Sequence, residues 1–374
     1  MPLSSTHSRT SSIVRTASVA FLLLIALTAA ACGSSDSGGA SSDGDSSSSD
    51  ATTTAVGSAT AETVRLGFFP NVTHAPALVG VDQGFFTDRL GDTELVTSTF
   101  NAGPEATEAL FAEALDITYI GPNPTVNAFA QSNGEAVRIV SGSTSGGAFL
   151  VTTPEINSAD GLKGQKIATP QLGNTQDVAL RVWLKDQGLS SDTSGGGDVS
   201  IVPQANADTL TAFKNGDIAG AWVPEPWATR LIQEGSGKVL VDEATLWPEG
   251  QFVTTQIVVR TAFLDEFPGT VKAILQGHLD ALDYIGTDPA GAQKATNTQI
   301  EALTQKPLPE EVLSAAWKNL TFTYDPISSS LEKSAKDAQE VGLLDPVALS
   351  GIYSLDILNS LLSADGEPEV KGLS

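Results

Sequence analysis

Cysteine is all but missing from this chain: Cys32 is the single example in 374 residues. That excludes internal disulfides and any cysteine-rich zinc site. Histidine is scarce as well, with His7, His74 and His278 the three examples, and His7 falls in a leader segment. Three are too few for a histidine-based metal site or a multi-histidine proton relay, so no metal and no cofactor is expected. Basic side chains number 20 against 44 acidic ones, for a formal charge of −24. A chain of that sign repels phosphate backbones, and nucleic acid is not expected as a partner. What is present is 41% hydrophobic and 17% charged, the balance of a globular body. The length is too great for one small core and fits two domains, or one two-lobed body with an appendage.

The N-terminus carries a targeting signal. Arg9 and Arg15 precede an apolar run from Ala17 to Ala31, which is too short for a comfortable transmembrane span. Residues 1–31 are therefore expected to be a signal peptide. Cys32 follows Ala29-Ala30-Ala31 and precedes Gly33, a pattern that resembles the lipobox of bacterial lipoproteins, with alanine where leucine is commoner. The resemblance implies a lipidated Cys32 as the mature N-terminus; the alternative is an ordinary signal peptide with an incidental cysteine. Residues 32–63 are expected to be the lipidated cysteine and a disordered tether. From 33 to 60 the chain is Ser, Gly, Thr, Asp and Ala, with Val56 as the single sizeable apolar side chain. Such a tether spans an r.m.s. distance of roughly 30 Å.

Beyond it, strand and helix patterns alternate. Val64–Phe69, Leu95–Phe100, Ile117–Ile120, Ala136–Val140, Leu150–Thr152, Gln165–Ala168, Val199–Val202, Ala219–Val223 and Ile257–Val259 read as strands. Helices are predicted over Thr73–Gln83, Pro104–Ala114 and Thr175–Gln187, and the chain turns mainly helical after Val259. Alternation of this kind implies an α/β architecture with largely parallel sheets. One internal echo stands out. A helix leads into Leu115-Asp116-Ile117, a strand and Pro122-Asn123-Pro124; later a helix leads into Gly216-Asp217-Ile218, a strand and Pro224-Glu225-Pro226. Two lobes built alike would each place a Pro-x-Pro loop at the carboxyl end of a strand, where open α/β sheets bind ligands.

Five motifs in order make a family resemblance specific: Leu66–Ala75 (LGFFPNVTHA), Asn101–Glu105 with Glu108-Ala109-Leu110, Asp116–Gly121, Leu162–Ala168, and Trp222–Trp227 (WVPEPW). Together they resemble the substrate-binding proteins of sulfonate, nitrate and taurine ABC importers. The resemblance covers about residues 64–290 well and implies a two-lobed type II periplasmic-binding fold with two crossing strands, near Phe149–Thr152 and Phe252–Val258. Lobe I would comprise 64–150 and 256–374, and lobe II 151–255. The implied function is an extracytoplasmic receptor, lipid-anchored to the outer face of the membrane and monomeric. It would capture a small polar organic anion, an aliphatic sulfonate first, in an interlobe cleft. Its partners would be the solute, an ABC permease and that permease's ATPase. Nitrate, taurine or a pyrimidine precursor are the alternative ligands.

Several loops are candidate ligand contacts. Gly173, Asn174 and Thr175 form a turn and helix start whose backbone N–H groups and hydroxyl favour an anionic oxygen, although Asn174 or Thr175 also suits a simple cap. Ser143, Thr144 and Ser145 offer hydroxyls beside the first crossing, or else a surface loop. Asn71, Thr73 and His74 follow the first strand, and Gly121 and Asn123 a later one; a lone histidine is more often a structural hydrogen bonder. Trp222 and Trp227 either fill core or wall off the apolar part of an organic ligand. Glu225 opposes a bound anion and points to an ammonium, a ring N–H, or a contact with the permease. Basic residues are sparse in all these loops, so neutral donors would carry an oxyanion.

An enzyme on the same fold is the competing class. Gly142–Gly146 has threonine at its centre and fails the G-x-S-x-G nucleophile pattern. Ser330 and Lys333 satisfy S-x-x-K by letters in a polar segment with no companion motif, and no P-loop, dinucleotide fingerprint or H-E-x-x-H occurs. Catalysis is not expected.

Overall fold

The computed structural model describes residues 59–373; the expected signal peptide, Cys32 and most of the tether lie outside them. Order begins ahead of residue 64: the Ala61 N–H donates to Thr270 Oγ1 at 2.8 Å, and Thr93 Oγ1 donates to the Ala61 carbonyl at 2.7 Å. The strands are β1 (Thr63–Phe68), β2 (Glu94–Thr99), β3 (Ile117–Ile120), β4 (Val137–Gly146), β5 (Ala148–Thr152), β6 (Lys166–Thr169), β7 (Ser200–Pro203), β8 (Gly220–Pro224), β9 (Lys238–Asp242), β10 (Val253–Arg260) and β11 (Leu320–Phe322). They form two sheets, in the orders β11-β4-β10-β3-β1-β2 and β7-β6-β8-β5-β9.

Each sheet is mixed, which refines the expectation of largely parallel pairing. The strands of the β-α-β units, β1 with β2 and β3, and β6 with β7 and β8, pair in parallel. The strands at the two crossings pair antiparallel: β10 with β3 and β4, and β5 with β8 and β9. A chain that leaves one sheet and returns to it enters in the opposite sense, so the crossings impose this pattern. The outward passage is Gly146-Gly147, with φ of 82° and 73°. The positive φ is what demands glycine at Gly147; a β-carbon there would also lie 2.2 Å from Leu320 Cδ2, a methyl that would have to move. The return runs through residues 243–252 in two short 3-10 turns before β10.

Each lobe packs its own core. Leu66, Phe68, Ile117, Tyr119 and Ile257 of the first sheet are buried against Leu78, Phe86, Ile274 and Leu275 of the flanking helices. In the second lobe Leu150, Ile167, Leu180, Leu184 and Trp222 form one buried cluster, and Val151, Phe213, Val223 and Leu231 another. Two fully satisfied ion groups brace the lobes. Asp116 accepts from Arg65 and Arg260, at 2.6 and 2.8 Å, and holds its carboxyl below the usual range. Asp177 is bound by Arg181 Nε at 2.9 Å and by Thr169 Oγ1 at 2.9 Å, all of it buried. The C-terminal helices do more than cover the first lobe. Ser328–Glu340 packs on Pro122–Gln131 of the first lobe and on Thr175–Asp186 of the second.

The two proline turns prove to be helix starts rather than loops. Pro122 is the first residue of helix Pro122–Gln131, where a missing N–H costs nothing. Pro226 immediately precedes helix Trp227–Gln233.

Candidate functional site

Where the two lobes meet, a small cavity is lined from the first lobe by Phe69, Asn71, Thr73, His74, Asn101, Ala102, Gly121, Thr254 and Thr255. The second lobe contributes Pro170, Asn174, Thr175, Gln176, Asn206 and Pro224. The cavity is small, about 20 Å³. Hydrogen bonds cross between them: Trp227 Nε1 donates to Asn71 Oδ1 at 2.8 Å, and Asn319 Nδ2 to Glu225 Oε1 at 2.7 Å. The Gly103 N–H makes a longer contact, 3.4 Å, with Asn174 Oδ1.

The lining holds no lysine, arginine, aspartate or glutamate. Its charge preference comes instead from the backbone. Four helices of nine residues or more begin at this cavity: Gly103–Phe111 after Ala102, Pro122–Gln131 after Gly121, Thr175–Asp186 after Asn174, and Asn206–Asn215. None of the four is capped by a side chain at its N-cap residue. A helix N-terminus carries roughly half a positive charge and outward N–H groups, so four together favour an anion without any cationic side chain. Three buried side-chain oxygens in the lining, Thr175 Oγ1, Asn206 Oδ1 and Thr255 Oγ1, have no hydrogen-bond partner in the protein. Unpartnered buried polar atoms are costly, and all three belong to residues of this one lining.

His74 is buried beside Phe69, its ring stacked at 4.4 Å, and its Nδ1 accepts the Phe69 N–H at 3.3 Å. That bond fixes Nε2 as the protonated nitrogen. Burial holds its pKa down at about 3, so it is a neutral donor and a poor base at neutral pH. Its chemistry is hydrogen bonding.

Of the expected contacts, Asn71, Thr73, His74, Gly121, Asn174 and Thr175 come together at the cavity. The others are placed elsewhere, each for a physical reason. Asn123 points into its own lobe and donates to the Ser334 carbonyl at 3.0 Å. Ser143, Thr144 and Ser145 belong to the long strand β4, not to a loop; Thr144 Oγ1 donates to the Thr73 carbonyl and so supports a lining residue from behind. The Gly173 N–H is taken by Asp177. Trp222 is fully buried core, its Nε1 donating to Glu243 at 2.7 Å. Trp227 borders the cavity from outside through its bond to Asn71.

Glu225, offered by the sequence as a contact for an ammonium, a ring N–H or the permease, is placed away from the cavity. Its carboxylate is outside the lining and accepts from the Thr229 N–H at 3.1 Å, Thr229 Oγ1 at 2.9 Å and Asn319. It caps the helix that follows and latches the lobes, and burial pushes its pKa up against those three bonds. Asn101, Gln176, Asn206, Thr254 and Thr255 are the lining residues the sequence did not single out. The Asn101-Ala102-Gly103 motif carried a signal for the first; Thr254 and Thr255 lie in a strand, where no local pattern marks them. The S-x-x-K pair is structural, with Ser330 Oγ accepting the Val253 N–H and Lys333 paired with Asp337. Among the described residues no cluster of histidine, cysteine, aspartate and glutamate could hold a metal ion, and no helix is long and apolar enough to cross a membrane.

Two α/β lobes joined by two crossings and closed over a polar cavity define the periplasmic-binding fold, and solved structures match it. The chain superposes on the nitrate-binding protein NrtA from Synechocystis with a TM-score of 0.71 and 15% identity, covering 84% of this chain and 93% of that one. For the alkanesulfonate-binding protein SsuA from Xanthomonas axonopodis pv. citri, bound to MOPS, the values are 0.66 and 19%, over 80% and 100%. At these identities the likeness establishes fold alone. The model of the NMT1-like family matches residues 57–300, and the chain belongs to that family. Among curated relatives it is 28% identical over 221 residues to the taurine-binding periplasmic protein of Escherichia coli, spanning 59% of this chain and 66% of that protein. It is 25% identical over 267 residues to the bicarbonate-binding protein CmpA of Synechococcus elongatus, spanning 62% and 56%. The matches thus cover just under two thirds of the first relative's length and little more than half of the second's.

Proposed function

We propose that this protein is the extracytoplasmic substrate-binding receptor of an ABC importer, taking a small organic anion, an aliphatic sulfonate first, into the interlobe cavity. It delivers that solute unchanged to a permease driven by its ATPase. The observation that carries the reading is the convergence of four helix N-termini, none capped by the side chain of its own N-cap residue, on a cavity whose lining has no charged side chain. Neutral donors hold an oxyanion without the tight ion pairing that slows release, which suits capture and hand-over. The relatives named for taurine and bicarbonate, and the fold partners named for alkanesulfonate and nitrate, support the same class of solute. Against catalysis, the single imidazole at the cavity is held neutral and engaged through Nδ1. Gly146-Gly147 and residues 243–252 act as the hinges between lobe I and lobe II. Cys32 anchors a monomeric body to the outer face of the membrane through its lipid and the serine-rich tether.

Thermal-shift screening of the protein against alkanesulfonates, taurine, nitrate, bicarbonate and pyrimidine precursors tests this reading, because a ligand specific for the folded state raises the unfolding temperature. The sulfonates should shift it most. Stabilisation by nitrate alone would overturn the sulfonate assignment, and chemical turnover of any compound would overturn the receptor.

A further inference from the structure

Immediately outside the inner cavity is a second chamber of about 310 Å³, and the two share Asn71, Asn101 and Asn206 in their linings. They differ in chemistry as well as size. The inner one, about 20 Å³, is walled by amides, hydroxyls and helix N-termini. The outer one is walled by Phe100, Trp227, Ile300, Pro307 and Leu308, with residues from both lobes. Its cations do not make it an anion site. Arg230 is bound by Glu234, at 2.6 Å from Nε, and its guanidinium carbon lies over the Trp227 ring, 4.7 Å from the centroid. Lys306 stands exposed at the rim. The indole of Trp227 forms one wall and, through its bond to Asn71, the partition between the chambers.

We infer that the outer chamber is a subsite for the apolar body of the solute whose anionic head occupies the inner cavity. The occupant is an organic anion bearing a chain of several carbons, and bare nitrate or bicarbonate would leave the chamber unused. The inference rests on the receptor reading above. The volume falls in the range of small-molecule sites, about 300–1,000 Å³, and the three asparagines common to both linings put head and body within one molecule's reach.

Each methylene moved from water into the chamber tightens binding about fourfold, so pentanesulfonate binds roughly 250-fold tighter than methanesulfonate, over four added methylenes. The test is calorimetric titration of the full chain with methane-, ethane-, butane- and pentanesulfonate, repeated on Trp227→Ala and Trp227→Phe. In the wild type affinity climbs with chain length. Trp227→Phe, which keeps an apolar wall but loses the N–H, weakens every member by a similar factor and preserves the climb. Trp227→Ala flattens it. Melting curves without ligand confirm that both variants fold, and the wild-type series decides the matter if one does not. Equal binding of all four by the wild type overturns the subsite and leaves the receptor reading standing. Failure of all four to bind overturns the subsite together with the sulfonate assignment.

Discussion

Gly121→Ala separates folding from lobe closure. Gly121 follows β3 and precedes helix Pro122–Gln131 with φ −74° and ψ 164°, angles that alanine adopts freely. A β-carbon there would lie 2.5 Å from Thr175 Oγ1 and 3.5 Å from the Thr254 carbonyl oxygen. The second contact is ordinary and within the first lobe. The first is a collision, and its partner sits across the cleft on the second lobe, so an open protein escapes it and a closed one does not. Overpacking of this kind costs about 1–3 kcal/mol. Charged to the closed state alone, it weakens binding about 5- to 150-fold. Titration with butanesulfonate reads the loss, and thermal unfolding without ligand serves as the control. The melting temperature should stay within about 2 °C, since a kilocalorie in a body of this size moves it only a few degrees. Gly121→Ala/Thr175→Ala removes the colliding oxygen and should recover the steric share, a coupling that a double-mutant cycle isolates. Wild-type affinity in Gly121→Ala, or a large fall in melting temperature without ligand, would refute the reasoning.

Three further outcomes are expected. His74 and His278 are held at about 3 by burial, against 6.5 unfolded, so the unfolded chain gains protons below pH 6.5 and stability falls by about 1.4 kcal/mol per pH unit for each. Glu243 runs the other way: burial pushes it up to about 7, so its contribution is full below 4.5 and is lost as pH rises through 7. Urea melts should therefore show greatest stability near pH 6.5, with the alkaline decline removed in Glu243→Gln. Arg181→Ala leaves Asp177 charged and buried without its cation and should cost about 3–5 kcal/mol in the same melts; a loss under 1 kcal/mol contradicts the pairing. Glu225→Gln should change the affinities for taurine and for ethanesulfonate by the same factor, because the carboxylate faces Thr229 and Asn319; a loss confined to taurine would show an ammonium contact instead.

The order of elements was legible because strands buried on both faces read as short apolar runs; Ile117–Ile120 agrees to the residue and β1 is offset by one. The echo between Asp116 and Asp217 was legible too, and both proline turns do face one cavity, through Gly121 and Pro224. Three kinds of feature were not. Strand β4 continues to Gly146 because Val253–Arg260 and Leu320–Phe322 pair with it, partners more than a hundred residues away; its hydroxyl-rich end looks like a loop in isolation. Glu225 and Trp222 carry conspicuous chemistry but spend it on Thr229, Asn319 and Glu243, choices set by tertiary packing. Asn206, Thr254 and Thr255 are ordinary polar residues whose meaning comes from lobe closure. Candidates adjacent to a helix start fared best, since a cap and an anion site share one local signature.

The most direct measurement is a crystal structure of the protein grown with butanesulfonate. The sulfonate oxygens should lie within about 3.2 Å of first-turn N–H groups and of Thr175 or Asn206, with the alkyl chain running past Asn71 toward Trp227 and Leu308. A sulfonate bound on an outer surface, with the interlobe cavity unchanged, would contradict that placement.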